Sequence, residues 1–176
     1  MNFFRYIMSL SLVAWVGGIV FFVSMTPILF AVLPSRHLAG SVVSPALSRL
    51  HWIGMISGVL FLASSWAYSL ITAGYARFWT PVNVLVLLML TLTCVSQFGL
   101  SPRLAKIRAA MPIMDSASAD SASADSAPVD SAPMDSAPTE VRVRFDALHQ
   151  WSTRMEGGVL LLGLVAVYLV SKERVY

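Results

Sequence analysis

The sequence predicts an all-α polytopic membrane protein: four transmembrane helices in an antiparallel bundle, with a disordered low-complexity loop between the third and the fourth. Three observations carry this. First, four apolar runs, Phe3 to Leu33, Trp52 to Tyr75, Trp79 to Leu100 and approximately Trp151 to Val170, each supply the about 20 residues a helix needs to cross hydrocarbon. Second, hydrophobic residues make up 57% of the 176-residue chain and charged residues 12%, where a soluble domain carries roughly half and roughly a quarter. Third, the runs are continuous and not alternating. With no water in a bilayer to satisfy the backbone, that pattern selects helices over a closed barrel.

A single membrane domain follows, in three stretches: residues 1–110 hold helices 1 to 3, residues 111–140 a linker, and residues 141–176 helix 4 with a C-terminal tail. In the first span Arg5 precedes an apolar run about twice as long as a signal-peptide h-region, so we expect a retained span, kinked by Pro27 and stopped near Pro34. The first loop is read as Pro34 to about Arg49, with Arg36, His37 and Arg49 in it. The second, Gly74 to Phe78, is so short that spans two and three must form a tight hairpin. The third contains five five-residue repeats, DSASA, DSASA, DSAPV, DSAPM and DSAPT, starting at Asp115. They are small, polar and free of aromatics, so they cannot bury enough apolar surface to offset the entropy of ordering. A calcium array would need turn-forming glycines that the repeat lacks. The net charge of +3 resides in residues beside the spans, Arg103, Lys106, Arg108, Arg142 and Arg144 among them. We read it as a topology signal favouring cytoplasmic first and third loops, with no nucleic-acid partner.

Polar residues within the spans fall on stripes. At 100° per residue, His51, Gly54, Gly58, Ser65, Ser69 and Thr72 share one face of span two. Gly54 and Gly58 form the GxxxG spacing that lets two helix backbones approach, and Gly17, Gly18 and Gly163 are further packing positions. Asn83, Cys94, Gln97 and Ser101 share a face of span three. Asn and Gln in hydrocarbon require hydrogen-bond partners, and a helix seam or a lined polar pathway would both supply them. Cys94 is the single cysteine, read as a buried thiol with no disulfide or CxxC chemistry. On span four His149, Ser152, Glu156 and Gly163 share a face while Arg154 points away. An ionisable group within a span is by default a functional hypothesis.

His51 and His149 both open even-numbered spans and enter from the same side of the membrane. Two facing imidazoles with Glu156 two turns deeper would suit a bis-histidine haem b or a small copper or zinc site. Packing on the neighbouring Trp52 and Trp151 is the plainer role. The polar interior candidates are therefore His51, Asn83, Gln97, His149, Ser152 and Glu156.

W-V-G-G-I-V-F-F-x4-P-x2-F from Trp15 to Phe30, F-D-A-L-H-x2-S from Phe145 to Ser152 and L-L-L-G-L from Leu160 to Leu164 resemble the transmembrane protein 205-like family, four-span proteins of unknown function. The resemblance covers the spans and not the DSA repeat. Relatives commonly carry Asn four residues after the Ser of H-x2-S, where this chain has Glu156. The opening W-x-G-G is also similar to copper-resistance D-type membrane proteins. Neither resemblance implies a catalytic residue.

The expected function is that of a multi-pass protein of the bacterial inner membrane, not an enzyme, which binds or passes a small solute or metal. A homo-oligomer through the Gly54–Gly58 seam would widen the pathway. The alternative is a b-type haem or copper-binding redox protein, and a membrane enzyme using His149 and Glu156 as acid and base is a third reading. Deleting Asp115 to Thr139 is expected to leave insertion and folding intact, checked by membrane fractionation and gel filtration in mild detergent. Loss of insertion would contradict a linker role.

Overall fold

The computed structural model describes residues 2–34, 36–75, 77–107 and 139–172, so the DSA repeat and its linker role lie outside the described residues. Among these, α1 spans Asn2–Val32 and α2 Arg36–Ala73. Helix α3 starts as Pro81–Val95, passes through one wide π-helical turn at Ser96–Leu100 and runs on to Ile107. Helix α4 spans Thr139–Lys172. All four are long and apolar enough to cross a membrane, and the protein is a multi-pass membrane protein by that measure.

The local chemistry explains the ends. Thr80 caps α3, its hydroxyl accepting from the Asn83 amide, and Pro81 occupies the first turn, where its missing N–H costs nothing. Gly74 closes α2 with φ of 72°, a left-handed conformation that glycine adopts freely, and its amide returns to the Leu70 carbonyl. Proline does not break α1 at Pro27 or α2 at Pro45.

Two boundaries differ from the sequence reading. The stretch read as a first loop is helical from Arg36, so the connection between α1 and α2 shrinks to the residues between Val32 and Arg36. Its serines and basic residues resemble a loop, yet Ala39, Leu47 and Leu50 continue one side of α2, with Ala39 and Leu50 buried and Leu47 packed on the core. Helix α4 likewise begins at Thr139, well before Trp151.

The helices close a ring: α1 packs on α2, α2 on α3, α3 on α4 and α4 back on α1. Neighbours are antiparallel, as Trp15 lies against Gly54 and Gly58 while Gly18 lies against Leu50. The core is built from Leu12, Trp15, Val16 and Ile19 of α1, Phe61 of α2, Val86 and Met89 of α3, and Val159 and Ala166 of α4. Outward-facing positions are as apolar as the core, with Phe21, Ile56, Val59, Leu87, Leu161 and Val165 exposed, which is expected where lipid is the solvent.

Lipid offers no hydrophobic gain for helix association, so close packing must supply it. The tightest contact is Trp15 on α2. A Cβ built on Gly54 would lie 2.4 Å from the indole Nε1, and one on Gly58 2.7 Å from the ring. The GxxxG seam is therefore filled from within by α1, and it is not free for the self-association expected of it. Gly163 is similarly covered, by Val16 at 2.6 Å and Met89 at 3.1 Å. Gly18 meets only the tip of Leu50, and Gly17, expected as a packing position, has nothing within 4 Å and faces outward.

Gly54→Ala is expected to destabilise by about 1–3 kcal/mol through overpacking. Gly17→Ala should be neutral or stabilise by up to about 1 kcal/mol from helix propensity. Thermal denaturation in one detergent compares the two, and equal midpoints would remove the Trp15 seam as a stabilising contact.

Candidate functional site

The second-span stripe brings His51 to the interior, 1% exposed, at a level where α3 and α4 each present a polar side chain. Its Nδ1 lies 2.8 Å from Gln97 Oε1 and its Nε2 2.5 Å from Glu156 Oε1. The chain extends on the far side of Gln97, whose amide Nε2 donates to Ser48 Oγ at 3.0 Å. A continuous line of hydrogen bonds, Glu156–His51–Gln97–Ser48, thus crosses the bundle from α4 through α2 to α3 and back to α2.

Backbone geometry makes this possible. Ser48 and His51 are three apart on α2, hence on one face. Gln97 sits in the wide turn of α3, where the Ser101 amide and hydroxyl both bond to the Ser96 carbonyl. Such π turns insert into helices often where a functional side chain must be re-aimed. Glu156 and Gln97 are each about 24 Å along their helices from the end facing the second loop at 1.5 Å per residue, inside a hydrocarbon layer of about 30 Å and toward its opposite face.

Proton accounting restricts the chemistry. An amide oxygen only accepts, so the Nδ1 proton of His51 is committed to Gln97. One proton then occupies the contact between Nε2 and Oε1. It resides either on Glu156, leaving two neutral partners, or on His51, leaving an ion pair. Glu156 retains 14% of its side-chain surface accessible against 1% for His51, so the carboxyl is the less enclosed member of the pair.

The other expected residues divide into a second group and outliers. Asn83 pairs with Ser65 instead of joining His51: Ser65 Oγ donates to Asn83 Oδ1 at 2.9 Å, and Asn83 Nδ2 donates to the Arg77 carbonyl at 3.2 Å. Ser69 accepts from the Arg77 amide at 3.2 Å. Ser152 is buried on α4. His149 is exposed, so the pair of facing histidines does not form; Glu156 meets His51 in its place. Cys94 lies 3.7 Å from the Met55 sulfur. Among the described residues no group of three His, Cys, Asp or Glu side chains converges as a metal site would require. Sequence reasoning misses Ser48, which lies in the stretch read as a loop although its three-residue spacing from His51 is the signal, and it takes Trp15 only as the opening of a family motif, with no packing role.

A family model described as Domain of unknown function (DUF4149) matches residues 10–112, more than half of the chain, and the chain belongs to this family. The matched stretch holds His51 and Gln97, while Glu156 lies beyond it. It does not show similarity to the transmembrane protein 205-like or copper-resistance D-type proteins. No curated protein matches the chain, and no solved structure does.

Glu156→Gln retains a donor for His51 Nε2, so it is expected to fold with a loss below about 1 kcal/mol. Glu156→Ala leaves that buried nitrogen without its partner, for a cost of about 1–3 kcal/mol. Melting of the two variants in the same detergent checks the order, and an alanine variant as stable as the glutamine variant would mean that the contact is not formed.

Proposed function

We propose that this member of a family of unknown function is a small membrane binding component that exchanges a proton at the His51–Glu156 pair, in support of binding or passing a small solute. The observation that carries the reading is the carboxyl–imidazole contact of 2.5 Å between Glu156 and His51 among transmembrane helices. Ionisable groups at such depth are costly to retain and concentrate in proton relays and ligand sites. A structural seam needs only neutral partners, as the Ser65–Asn83 pair demonstrates within the same bundle. Glu156 occupies the position where the transmembrane protein 205-like resemblance implies Asn, so this chain carries an ionisable group there. Helical spans suit a bacterial inner membrane. Passage of a solute through so narrow a bundle calls for several copies, associated by a surface other than the occupied Gly54–Gly58 seam.

The residues do not fit a bis-histidine haem. Both ring nitrogens of His51 are engaged, and His149 is on the exposed side of α4. Copper or zinc at His51 would likewise have to displace Gln97 or Glu156. The redox alternative thus gains no support from the side-chain arrangement.

Infrared difference spectra of the purified protein between about pH 4 and about pH 9, spanning the ordinary carboxyl and imidazole ranges, test the proposal. A carboxyl–carboxylate change that disappears in Glu156→Gln and shifts in His51→Gln is the expected result. Spectra unchanged by either substitution would leave the pair as packing alone.

A further inference from the structure

At the end of the bundle facing the second loop, well away from His51, the four helices leave a cavity of about 350 Å³. Two arginines line it, Arg5 from the first turns of α1 and Arg77 from the loop, with the hydroxyls of Tyr68, Ser69 and Thr72 and the amide of Asn83. No acidic side chain lines it among the described residues. A concave site that is cationic on two sides and lined by donors is suited to an oxyanion.

Most of the short hydroxyls are already spent on the protein. Ser69 donates to the Trp66 carbonyl, Thr72 to the Tyr68 carbonyl and Ser65 to Asn83. Among the lining residues this leaves the Arg5 and Arg77 side chains, the Tyr68 phenol and the Thr80 hydroxyl, which accepts from the Asn83 amide, as donors for a ligand. The spent ones serve to fix Arg77, whose amide is held by Ser69 and whose carbonyl is held by Asn83. Its guanidinium lies over the Tyr75 ring, 5.6 Å from the centroid. A cation whose backbone is pinned at both hydrogen-bonding groups forfeits little freedom when a ligand arrives. The Asn83 stripe residue, expected to mark an interior site, thereby acts as a brace for this one.

The depth of the cavity identifies the ligand class. Arg5 is near the start of α1, Ala73 ends α2, Thr80 precedes α3 and Val170 is near the end of α4, and all line the space. Around it Tyr75, Phe78 and Trp79 are exposed, Trp79 at 86%. Aromatic side chains of this kind mark the headgroup level of a bilayer, which is where lipid phosphates lie. Arginine forks match phosphate oxygens in pairs.

We propose that this cavity binds a phosphate-class oxyanion between Arg5 and Arg77, delivered either by the headgroup of an anionic phospholipid or as free phosphate. The site is independent of proton exchange at His51 and stands whether or not that reading holds.

Native mass spectrometry of the full chain, delipidated in mild detergent and given phosphatidylglycerol or phosphatidylcholine, tests it beside thermal melting with inorganic phosphate. One phosphatidylglycerol retained in preference to phosphatidylcholine, and not displaced by phosphate, identifies a lipid ligand. A melting shift with inorganic phosphate in the absence of anionic lipid identifies a free oxyanion. In either case Arg5→Gln and Arg77→Gln should each weaken the effect about tenfold, the value of one charge-assisted contact, while Lys172→Gln, a cation outside the cavity, should not. Equal retention of the two lipids with no phosphate shift overturns the proposal, as does an unchanged response in both arginine variants. Should a glutamine variant fail to fold, Arg5→Lys and Arg77→Lys retain the charge but lose the fork. They are expected to weaken retention by a smaller factor, and wild-type preference for the anionic lipid remains decisive by itself.

Discussion

The imidazole, amide and carboxyl groups of His51, Asn83, Gln97 and Glu156 find partners beyond their own helix, and this requirement sets the arrangement of the bundle. Span hydroxyls such as Ser24, Thr26 and Thr91 instead return to carbonyls of their own helix. Water cannot substitute, so a hydrogen bond left unmade costs more than it would at a soluble surface. His51 meets the requirement twice, joining α2 to α3 through Gln97 and to α4 through Glu156. Ser65 and Asn83 join α2 to α3 again near the opposite face. Helix α1 is the one element outside these networks. It is held by shape instead, with Trp15 laid across the two glycines of α2 and Val16 set into Gly163 of α4. Two kinds of contact, polar pairing and glycine-backed packing, thus divide the work of closing the ring.

The architecture was legible because it rests on length and hydropathy, which need no knowledge of neighbours. Four runs correspond to four spans, and of the stripe on α2 His51, Gly54, Gly58, Ser65 and Ser69 are buried whereas Thr72 is exposed. Helix periodicity specifies which face is polar but not which helix that face will meet. His51 was accordingly matched with His149, the residue of its own type at a similar depth, when its partner is a carboxyl two turns farther along α4. The wide turn at Ser96–Leu100 changes the angular register of α3 just where Gln97 lies, and a uniform 100° step does not contain it. The first connection failed for a different reason. Arg36 to Arg49 is polar enough to read as a loop, but its apolar residues recur at helical spacing, and composition outweighed periodicity in that stretch. Ser48 was lost with it.

The same accounting separates a structural from a chemical role. Gln97 and Ser48 together hold one proton of His51 in a fixed place, which leaves the imidazole a single variable proton, directed at Glu156. Had both partners been amides, the imidazole would be locked on both sides and the cluster would be inert. With an amide on one nitrogen and a carboxyl on the other, the pair can change state while the helices that carry it stay joined, since either arrangement of that proton preserves the hydrogen bond. A buried pair that can move its shared proton between partners without breaking its own interhelical link is what distinguishes this layer from the Ser65–Asn83 layer below it. That asymmetry is why the proposed proton exchange is assigned to the His51–Glu156 contact and not to the neutral pairs around it.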